Sequence, residues 1–316
     1  MLYYILRRIL YALPIAFGVS IVVFSLIHLG PGDPLSAVMG EADAKLVAEM
    51  RASFGYDKPL YLQYFIWLGN VVTGNFGYSL RSGQPVINIL LPAAGNTMTL
   101  GALSSLVGFS VGILAGMFAG YNHGTWLDKV VSSTAITGVS MPHYWLAIIL
   151  VILFSVELGW LPAMGIGNAP SLFSLEALKH MILPALALAA IPCAIIARTT
   201  RACVMEILNM EFVEALRARG LPERRIVLHV TRNALPTVLA VIGLQFAHLL
   251  AGSILVETVF SWPGTGYLLN LAIFDRDMPV LQGTLLLLSM FFVFTNLVVD
   301  ILQTWVDPRV SREPTS

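Results

Sequence analysis

The chain has 316 residues, of which 57% are hydrophobic and only 11% are charged, and its mean hydropathy is +0.80. A soluble domain carries about 25% charged residues because its surface faces water, so much of this chain is expected to face lipid. The 18 basic and 18 acidic residues balance. This balance excludes the positive field of a nucleic-acid-binding protein, and the apolar composition excludes a disordered chain.

Six stretches are long and apolar enough to cross a bilayer, whose hydrocarbon core of about 30 Å takes roughly 20 helical residues. The predicted spans are 9–30, 97–120, 131–156, 180–199, 237–258 and 283–305. The first is too long for the apolar part of a signal peptide, so we expect it to remain as an anchor. The sequence therefore predicts an all-α membrane protein with six transmembrane helices.

The basic residues predict the orientation of these spans. Twelve of the 18 lysines and arginines fall in one alternating set of connections, which includes both termini and the loop 200–236. Because basic residues accumulate on the cytoplasmic side, this set is predicted to be cytoplasmic. The chain then divides into an N-terminus with the first span (1–30), an outside loop subdomain (31–96), a five-helix core (97–305) and a cytoplasmic tail (306–316).

The outside loop subdomain carries two amphipathic patterns. Apolar residues at helical spacing predict one helix over 46–54, which Gly55 would end, and another over 60–71. This subdomain and the connection 259–282 are both predicted to lie outside the membrane.

The loop 200–236 is the most charged part of the chain, and its middle has the pattern of a short amphipathic helix. The apolar positions that share one helical face are Phe212, Val213 and Leu216, whereas Glu211, Glu214, Arg217 and Arg219 face elsewhere. Gly220 stands where a helix would end in a left-handed cap, and Pro222 suits the start of a second helix. We expect that second helix to end at Asn233–Pro236, where the chain would return to the membrane.

The residues of this loop allow two interpretations and favour neither. The first is an amphipathic helix that rests on anionic lipid through its arginines. The second is a docking element for a cytoplasmic partner, with an apolar anchor surrounded by charge.

Several segments resemble one family. The run Glu214-Ala215-Leu216-x-x-x-Gly220 is similar to the E-A-A-x-x-x-G loop of bacterial ABC-importer permeases, with Leu216 in place of the second alanine. Leu235-Pro236 follows at the longer spacing of the peptide/nickel subfamily. Further segments that resemble this subfamily, in order along the chain, are ILRRIL (5–10), PGDP (31–34), 56–80, SMPHYWLAIIL (140–150), HMILPALAL (180–188), 197–208, ETVFSWPGTGYLL (257–269) and LVVDILQTWVDPRV (297–310).

The resemblance implies a type I ABC-importer permease in a bacterial plasma membrane, of the kind that forms the first permease subunit of a dipeptide or oligopeptide importer. It implies four kinds of partner: a second homologous permease, two ATP-binding subunits, a substrate-binding protein outside the membrane, and lipid. The residues it assigns to contact with the ATPases are Phe212, Val213, Glu214, Ala215, Leu216, Arg217 and Gly220. Relatives of this kind move dipeptides, oligopeptides, glutathione, nickel complexes or opines, and the sequence does not choose among them.

The chain lacks the motifs of an energy source or an enzyme. It has no G-x-x-x-x-G-K-[ST] loop, and none of its four lysines follows a glycine, so ATP would have to be bound by a partner. The one G-x-S-x-G run, at 108–112, lies inside an apolar span and does not suit a nucleophile elbow. Its histidines and cysteines lack metal-ligand spacing. We therefore predict no cofactor, no metal and no catalytic site in this chain.

Polar residues in the spans suggest where a solute would pass. We name Asn96, Thr97, Gln245 and His248 as candidate residues of the pathway. The alternative function is a proton-coupled secondary transporter, in which His248 or Glu257 would carry the proton. A plainer account has His248 hydrogen-bonded to a neighbouring helix and Glu257 at the membrane interface, and a third possibility is a membrane scaffold without a transport role.

Glycines recur every four residues in the second span, at Gly108, Gly112, Gly116 and Gly120. This small-xxx-small pattern permits the close approach of two helices. We therefore expect these glycines to pack against a neighbouring span.

Overall fold

The structure, a computed structural model, describes residues 2–28, 57–167 and 174–306. In these ranges its regular structure is helical, with ten α-helices and one π-helical segment. The α-helices are α1 (Leu2–His28), α2 (Leu60–Val72), α3 (Val86–Tyr121), α4 (Trp126–Ser140), α5 (His143–Leu150), α6 (Leu175–Leu208), α7 (Glu211–Ala218), α8 (Glu223–Val259), α9 (Thr265–Phe274) and α10 (Met278–Val306). The π-helical segment, Val151–Glu157, continues directly from α5. The all-α prediction is confirmed over these residues.

Four of these helices, α3, α6, α8 and α10, are each long and apolar enough to cross a membrane. The α4–α5 pair with its π-helical continuation can form a fifth span, and the apolar stretch of α1, Leu10–Ser25, is shorter. Each predicted span thus falls on a helix or a helix pair. The described residues support four or five spans by length and composition, so the predicted count of six is not established.

The third predicted span, 131–156, is not one straight helix. The chain bends by 106° between Trp126–Ser140 and His143–Glu157. Met141, which precedes Pro142, has φ −89° and ψ 124°, an extended conformation. Proline disfavours a helical conformation in the residue before it and cannot donate a backbone hydrogen bond, so the helix ends there and restarts at His143.

The helices also extend beyond their predicted spans, and hydropathy does not detect the polar first turns of α8. The second span begins at Val86 rather than at residue 97, and α8 begins at Glu223. The expected end of a helix at Asn233–Pro236 is wrong, since α8 continues through Pro236 to Val259. Val230, Ala234 and Val238 are all buried along this stretch. Their packing offsets the single backbone hydrogen bond that the proline removes.

The chain forms two compact units. Unit 1 comprises Met1–Tyr4, Met98–Trp262 and Thr295–Ser316, and unit 2 comprises Ile5–Thr97 and Pro263–Phe294. The core of unit 1 includes two clusters of buried apolar side chains. One contains Leu100, Met181, Leu188, Val256, Phe260 and Trp262, and the other contains Ile196, Val204, Ile207, Val213, Ile226 and Val230.

Within unit 1, the glycines of α3 pack directly against α6, as predicted. A Cβ atom on Gly112 would lie 2.7 Å from the carbonyl oxygen of Cys193, and one on Gly120 would lie 2.7 Å from the Val204 side chain. A Cβ atom on Gly116 would overlap the carbonyl oxygen of Ala197. Because backbone atoms cannot move aside as a flexible side chain can, α3 and α6 reach this separation only with glycine at these positions.

Within unit 2, helix α2 confirms the pattern predicted for 60–71, whereas the pattern at 46–54 lies outside the described residues. Tyr64 of α2 packs edge-on against Phe17 and Phe24 of α1. Its hydroxyl lies 2.8 Å from the Ser20 hydroxyl in a buried hydrogen bond.

A second contact in unit 2 holds the segment 73–85 to the start of α10, and we call it the Asp277 lock. The buried carboxylate of Asp277 accepts hydrogen bonds from the Ser79 hydroxyl at 2.5 Å, the Leu80 amide at 3.2 Å and the Val280 amide at 3.4 Å. Beside it, Arg81 pairs with Asp275 at the surface, and the hydrogen bond and charge of Asp275 raise the pKa of the Arg81 guanidinium.

Candidate coupling site

The segment that the sequence singled out folds as the short helix α7, which connects two long helices. Residues 209–222 separate the end of α6 at Leu208 from the start of α8 at Glu223, and eight of them, Glu211–Ala218, form α7. Glu211 and Glu214 lie in its first turn and Arg217 lies in its last, the arrangement that complements the helix dipole. The N-cap residue, Met210, makes no side-chain capping bond, so α7 depends on tertiary packing.

Gly220 ends α7 in the left-handed conformation that its sequence predicted, with φ +74°. The Leu221 amide donates to the Leu216 carbonyl at 3.2 Å, and the Gly220 amide donates to the Arg217 carbonyl at 2.9 Å. These two bonds define a Schellman motif, in which the backbone after the helix reaches back to its last carbonyl groups. Pro222 then serves as the N-cap of α8.

The inner face of α7 is part of the core of unit 1. Val213 is completely buried, and Leu216 and Leu221 are partly buried in the same cluster. Further members near the ends of three long helices are Met117 and Tyr121 of α3, Val204 and Ile207 of α6, and Ile226 and Val230 of α8. We call this set the α7 cluster. Because it contains side chains from all four helices, a displacement of α7 would push on α3, α6 and α8 together.

The outer face of α7 is exposed. Glu211, Glu214 and Ala215 are exposed, and Phe212 is 36% exposed. The apolar stripe proposed from the sequence is therefore divided between two faces. Val213 and Leu216 contact the chain's own core, and Phe212 is the apolar side chain left for a partner. Periodicity predicted the stripe but could not indicate which part of it the chain itself would cover.

Arg217 connects α7 to α8 at the surface. Its Nε atom lies 3.2 Å from a carboxylate oxygen of Glu223, and both side chains are well exposed. An exposed pair of this kind contributes about 0–1 kcal/mol, so it orients the junction more than it stabilises it.

A second polar group, which the sequence did not reveal, joins α4 to α6 in the same unit. The buried carboxylate of Asp128 receives two hydrogen bonds from Arg201, at 2.5 Å from Nε and 2.9 Å from Nη2. The Gly124 amide at 3.0 Å and the His123 ring at 3.1 Å complete the group. Asp128 and Arg201 are 73 positions apart, so no local spacing could have related them.

The four pathway candidates occupy different environments. The Asn96 amide donates to the Pro263 carbonyl at 2.7 Å, and the buried Thr97 hydroxyl accepts from the Thr265 amide at 2.8 Å. This pair therefore holds the turn before α9. Gln245 and His248 lie one turn apart on α8, where Gln245 is buried and His248 is exposed.

Glu257, the other residue of the proton-transfer alternative, is completely buried near the end of α8. Neighbouring side chains of the protein therefore cover it, and its position at the membrane interface stays a prediction. Among the residues that the structure describes, no group of three or more His, Cys, Asp or Glu side chains could hold a metal ion.

Two family descriptions match the chain. The family described as "Binding-protein-dependent transport system inner membrane component" matches residues 112–312, and its N-terminal counterpart matches residues 1–101. The chain is 40% identical to the di/tripeptide transport system permease protein DppB of Pseudomonas aeruginosa over 336 residues, covering 99% of this chain and 100% of that protein. It is 37% identical to the dipeptide transport system permease protein DppB of Alkalihalophilus pseudofirmus, covering 98% and 99%.

A third relative is the glutathione transport system permease protein GsiC of Escherichia coli, which is 39% identical over 312 residues, covering 98% of this chain and 99% of that protein. Among solved structures, the chain resembles the MetNI methionine ABC transporter in an inward-facing conformation. The TM-score is 0.57 at 20% identity, and the match covers 69% of this chain and 96% of that one. This likeness supports the type I importer fold.

These matches decide between the two transport hypotheses. They favour an ABC importer permease over a proton-coupled transporter, and they make the chain the membrane component of its system rather than its ATPase. A permease of this kind works in a complex with a further permease, ATPases and a binding protein, in the inner membrane. The chain therefore belongs to the family of binding-protein-dependent transport system inner membrane components, as an ABC importer permease of the peptide type.

Proposed function

We propose that this permease takes up peptides or related small solutes and that α7 receives the motion of an ATPase partner. The observation that carries the proposal is the division of α7 into two faces. Its outer face is exposed, and its inner face is buried with the ends of α3, α6 and α8. A partner that moves α7 would therefore move three spans together.

In this proposal both termini and α7 lie in the cytoplasm, as the distribution of basic residues predicts. A second, homologous permease completes the pathway, and each permease receives one of two ATPases. The pathway is open to the inside at rest and opens to the outside when the two ATPases close on ATP. The sequence has no G-x-x-x-x-G-K-[ST] loop, so in this proposal a permease without its partners performs no active uptake.

The substrate class rests on the relatives, whose names give dipeptides, di- and tripeptides and glutathione as their substrates. All of these are short peptides with charged termini. Exposed polar groups rather than one tight site would suit such varied cargo, and His248 is the exposed member of the four pathway candidates. The outside connections, 31–96 and 259–282, would meet a loaded binding protein.

The test is a glycine substitution at the end of α7. Gly220→Asp places a carboxylate beside the negative end of the α7 dipole and next to the exposed face. In proteoliposomes that contain the complete transporter and its binding protein, we expect this change to abolish ATP-dependent uptake and weaken retention of the ATPase, while the permease still inserts.

Gly159→Asp is the matched control. Gly159 also has a positive φ, +63°, and a Cβ atom there would meet nothing within 4 Å, as at Gly220. The backbone strain is thus similar, but the position is outside α7, and uptake should persist. Uptake that follows a proton gradient and survives Gly220→Asp would contradict the proposal.

A further inference from the structure

A groove between α4 and α6 lies outside the α7 site. The two helices approach closely at two levels. The Asp128–Arg201 pair joins them at one level, and at the other a Cβ atom on Gly138 would lie 3.3 Å from the Ala194 Cβ atom. Between these levels an open groove of about 160 Å³ is lined by Val131, Ser132, Ala135, Ile136, Ala197, Arg198 and Arg201.

The groove is apolar along its walls and cationic at one end. Its aliphatic side chains come from both helices, whereas its two arginines are three positions apart on α6 and so share one face. Arg201 is neutralised by Asp128. Within the described ranges, Arg198 has no carboxylate partner, and its side chain is exposed. Lys129, also exposed, adds a further positive charge at the start of α4.

An aromatic residue indicates the depth in the membrane at which this cationic end lies. Trp126, the first residue of α4, is 70% exposed. Tryptophan is enriched at membrane–water interfaces, where its ring lies among lipid headgroups. The same end is the one that the basic residues predict to be cytoplasmic, and the cytoplasmic leaflet carries the anionic lipids.

We propose that this groove binds one anionic phospholipid of the cytoplasmic leaflet, with its phosphate at Arg198 and an acyl chain along Val131, Ala135 and Ile136. The charge complementarity selects an anion, because basic side chains at the headgroup level of the cytoplasmic leaflet attract anionic lipid headgroups. The apolar walls select an anion that carries hydrocarbon. A free phosphate would satisfy the arginine but would leave the groove empty. This inference does not depend on the proposed role of α7.

The experiment uses the purified complete transporter in detergent, titrated with phosphatidylglycerol or phosphatidylcholine and analysed by native mass spectrometry. We expect phosphatidylglycerol to be retained preferentially. Arg198→Gln removes the charge and keeps most of the side-chain length, and we expect it to weaken this binding about fivefold, the effect of one basic residue at a lipid surface. Arg232→Gln is the matched control, since Arg232 is an exposed arginine of α8 outside the groove, and it should leave binding unchanged.

Three further experiments distinguish a bound phospholipid from a soluble phosphate compound and from a protein occupant of the groove. Ala135→Phe fills the apolar part of the groove, so it should weaken phosphatidylglycerol binding while Arg198 is intact. Inorganic phosphate and glycerophosphoglycerol, which lack acyl chains, should not displace the lipid at millimolar concentration. A photo-crosslinking amino acid at Ile136 should label lipid.

Three results would overturn the proposal. The first is equal retention of phosphatidylglycerol by the parent and Arg198→Gln. The second is displacement of the lipid by either soluble phosphate compound. The third is crosslinking from position 136 to the second permease instead of to lipid, which would show that a protein partner covers the groove.

Discussion

Two short connections of this protein are held to their own units by different means. Helix α7 is held by apolar side chains that insert into the α7 cluster, whereas the segment 73–85 is held by one buried carboxylate in the Asp277 lock. Apolar packing is dense and shared among many contacts, so a displacement of one element is passed to its neighbours. Hydrogen bonds to a single carboxylate are directional and are lost together when it is removed. The first attachment therefore suits an element that moves with its neighbours, and the second suits one that stays fixed.

The largest expected effect is the loss of the Asp277 lock. Asp277→Ala would leave the Ser79 hydroxyl and the amides of Leu80 and Val280 without their acceptor. Because these groups are largely buried, we expect a loss of about 3 kcal/mol in stability and faster proteolysis within 73–85. Asp275→Asn, which breaks only a surface pair, should have little effect on either. Equal proteolysis of the two variants would show that the lock does not hold this segment.

The next effect concerns the α7 cluster. Val213→Ala removes two methyl groups from a completely buried site and should cost about 2 kcal/mol. Because α7 would then be attached less firmly to the three long helices, we expect uptake to fall more than ATP hydrolysis in the complete transporter. Val130→Ala, the same change at an exposed position of α4, is the control. A proportional loss of uptake and hydrolysis in Val213→Ala would argue against transmission through this cluster.

A smaller effect on stability is expected from substitutions of Gly220, at the end of α7. Gly220→Ala forces a Cβ atom into the left-handed region, at a cost of about 1 kcal/mol, although a Cβ atom there meets nothing within 4 Å. Asparagine adopts this conformation more readily than alanine, so Gly220→Asn should recover part of the loss in thermal unfolding. Equal stability of the Gly220→Ala and Gly220→Asn variants would show that the left-handed conformation of residue 220 does not determine the stability of α7.

The smallest effect is expected at the surface pair of α7 and α8. Arg217→Gln breaks the contact with Glu223, and exposed pairs contribute about 0–1 kcal/mol. We expect thermal unfolding to be unchanged within about 2 °C. A loss of ATPase retention at unchanged stability would show that Arg217 contacts the partner, whereas a large drop in stability would contradict the assignment of a weak surface pair.

Local signals predicted the end of α7 well, because Gly220 and Pro222 determine the backbone around them. Pro142 and Pro236 show the limit of such signals. The same residue type ends a helix at Met141 but is accommodated within α8, where buried neighbours keep the helix intact. Which proline breaks a helix is decided by tertiary packing, and one sequence does not show that packing.

The candidate site, too, could be predicted from the sequence only in part. The sequence indicated α7 and its apolar stripe, but only the fold shows that Val213 faces inward while Phe212 remains exposed. The Asp128–Arg201 pair could not be inferred, because its members come from helices that are neighbours in space and distant in the chain.

The most direct test of the account is crosslinking from α7 in the complete transporter. In a background without Cys193 and Cys203, a cysteine at Ala215, on the exposed face, should crosslink to the ATPase and be labelled by reagents added to the cytoplasmic side. A cysteine at the buried Val213 should do neither. An Ala215 cysteine that reacts only from outside the membrane, or a transporter that remains fully coupled when that cysteine carries a bulky label, would contradict the account.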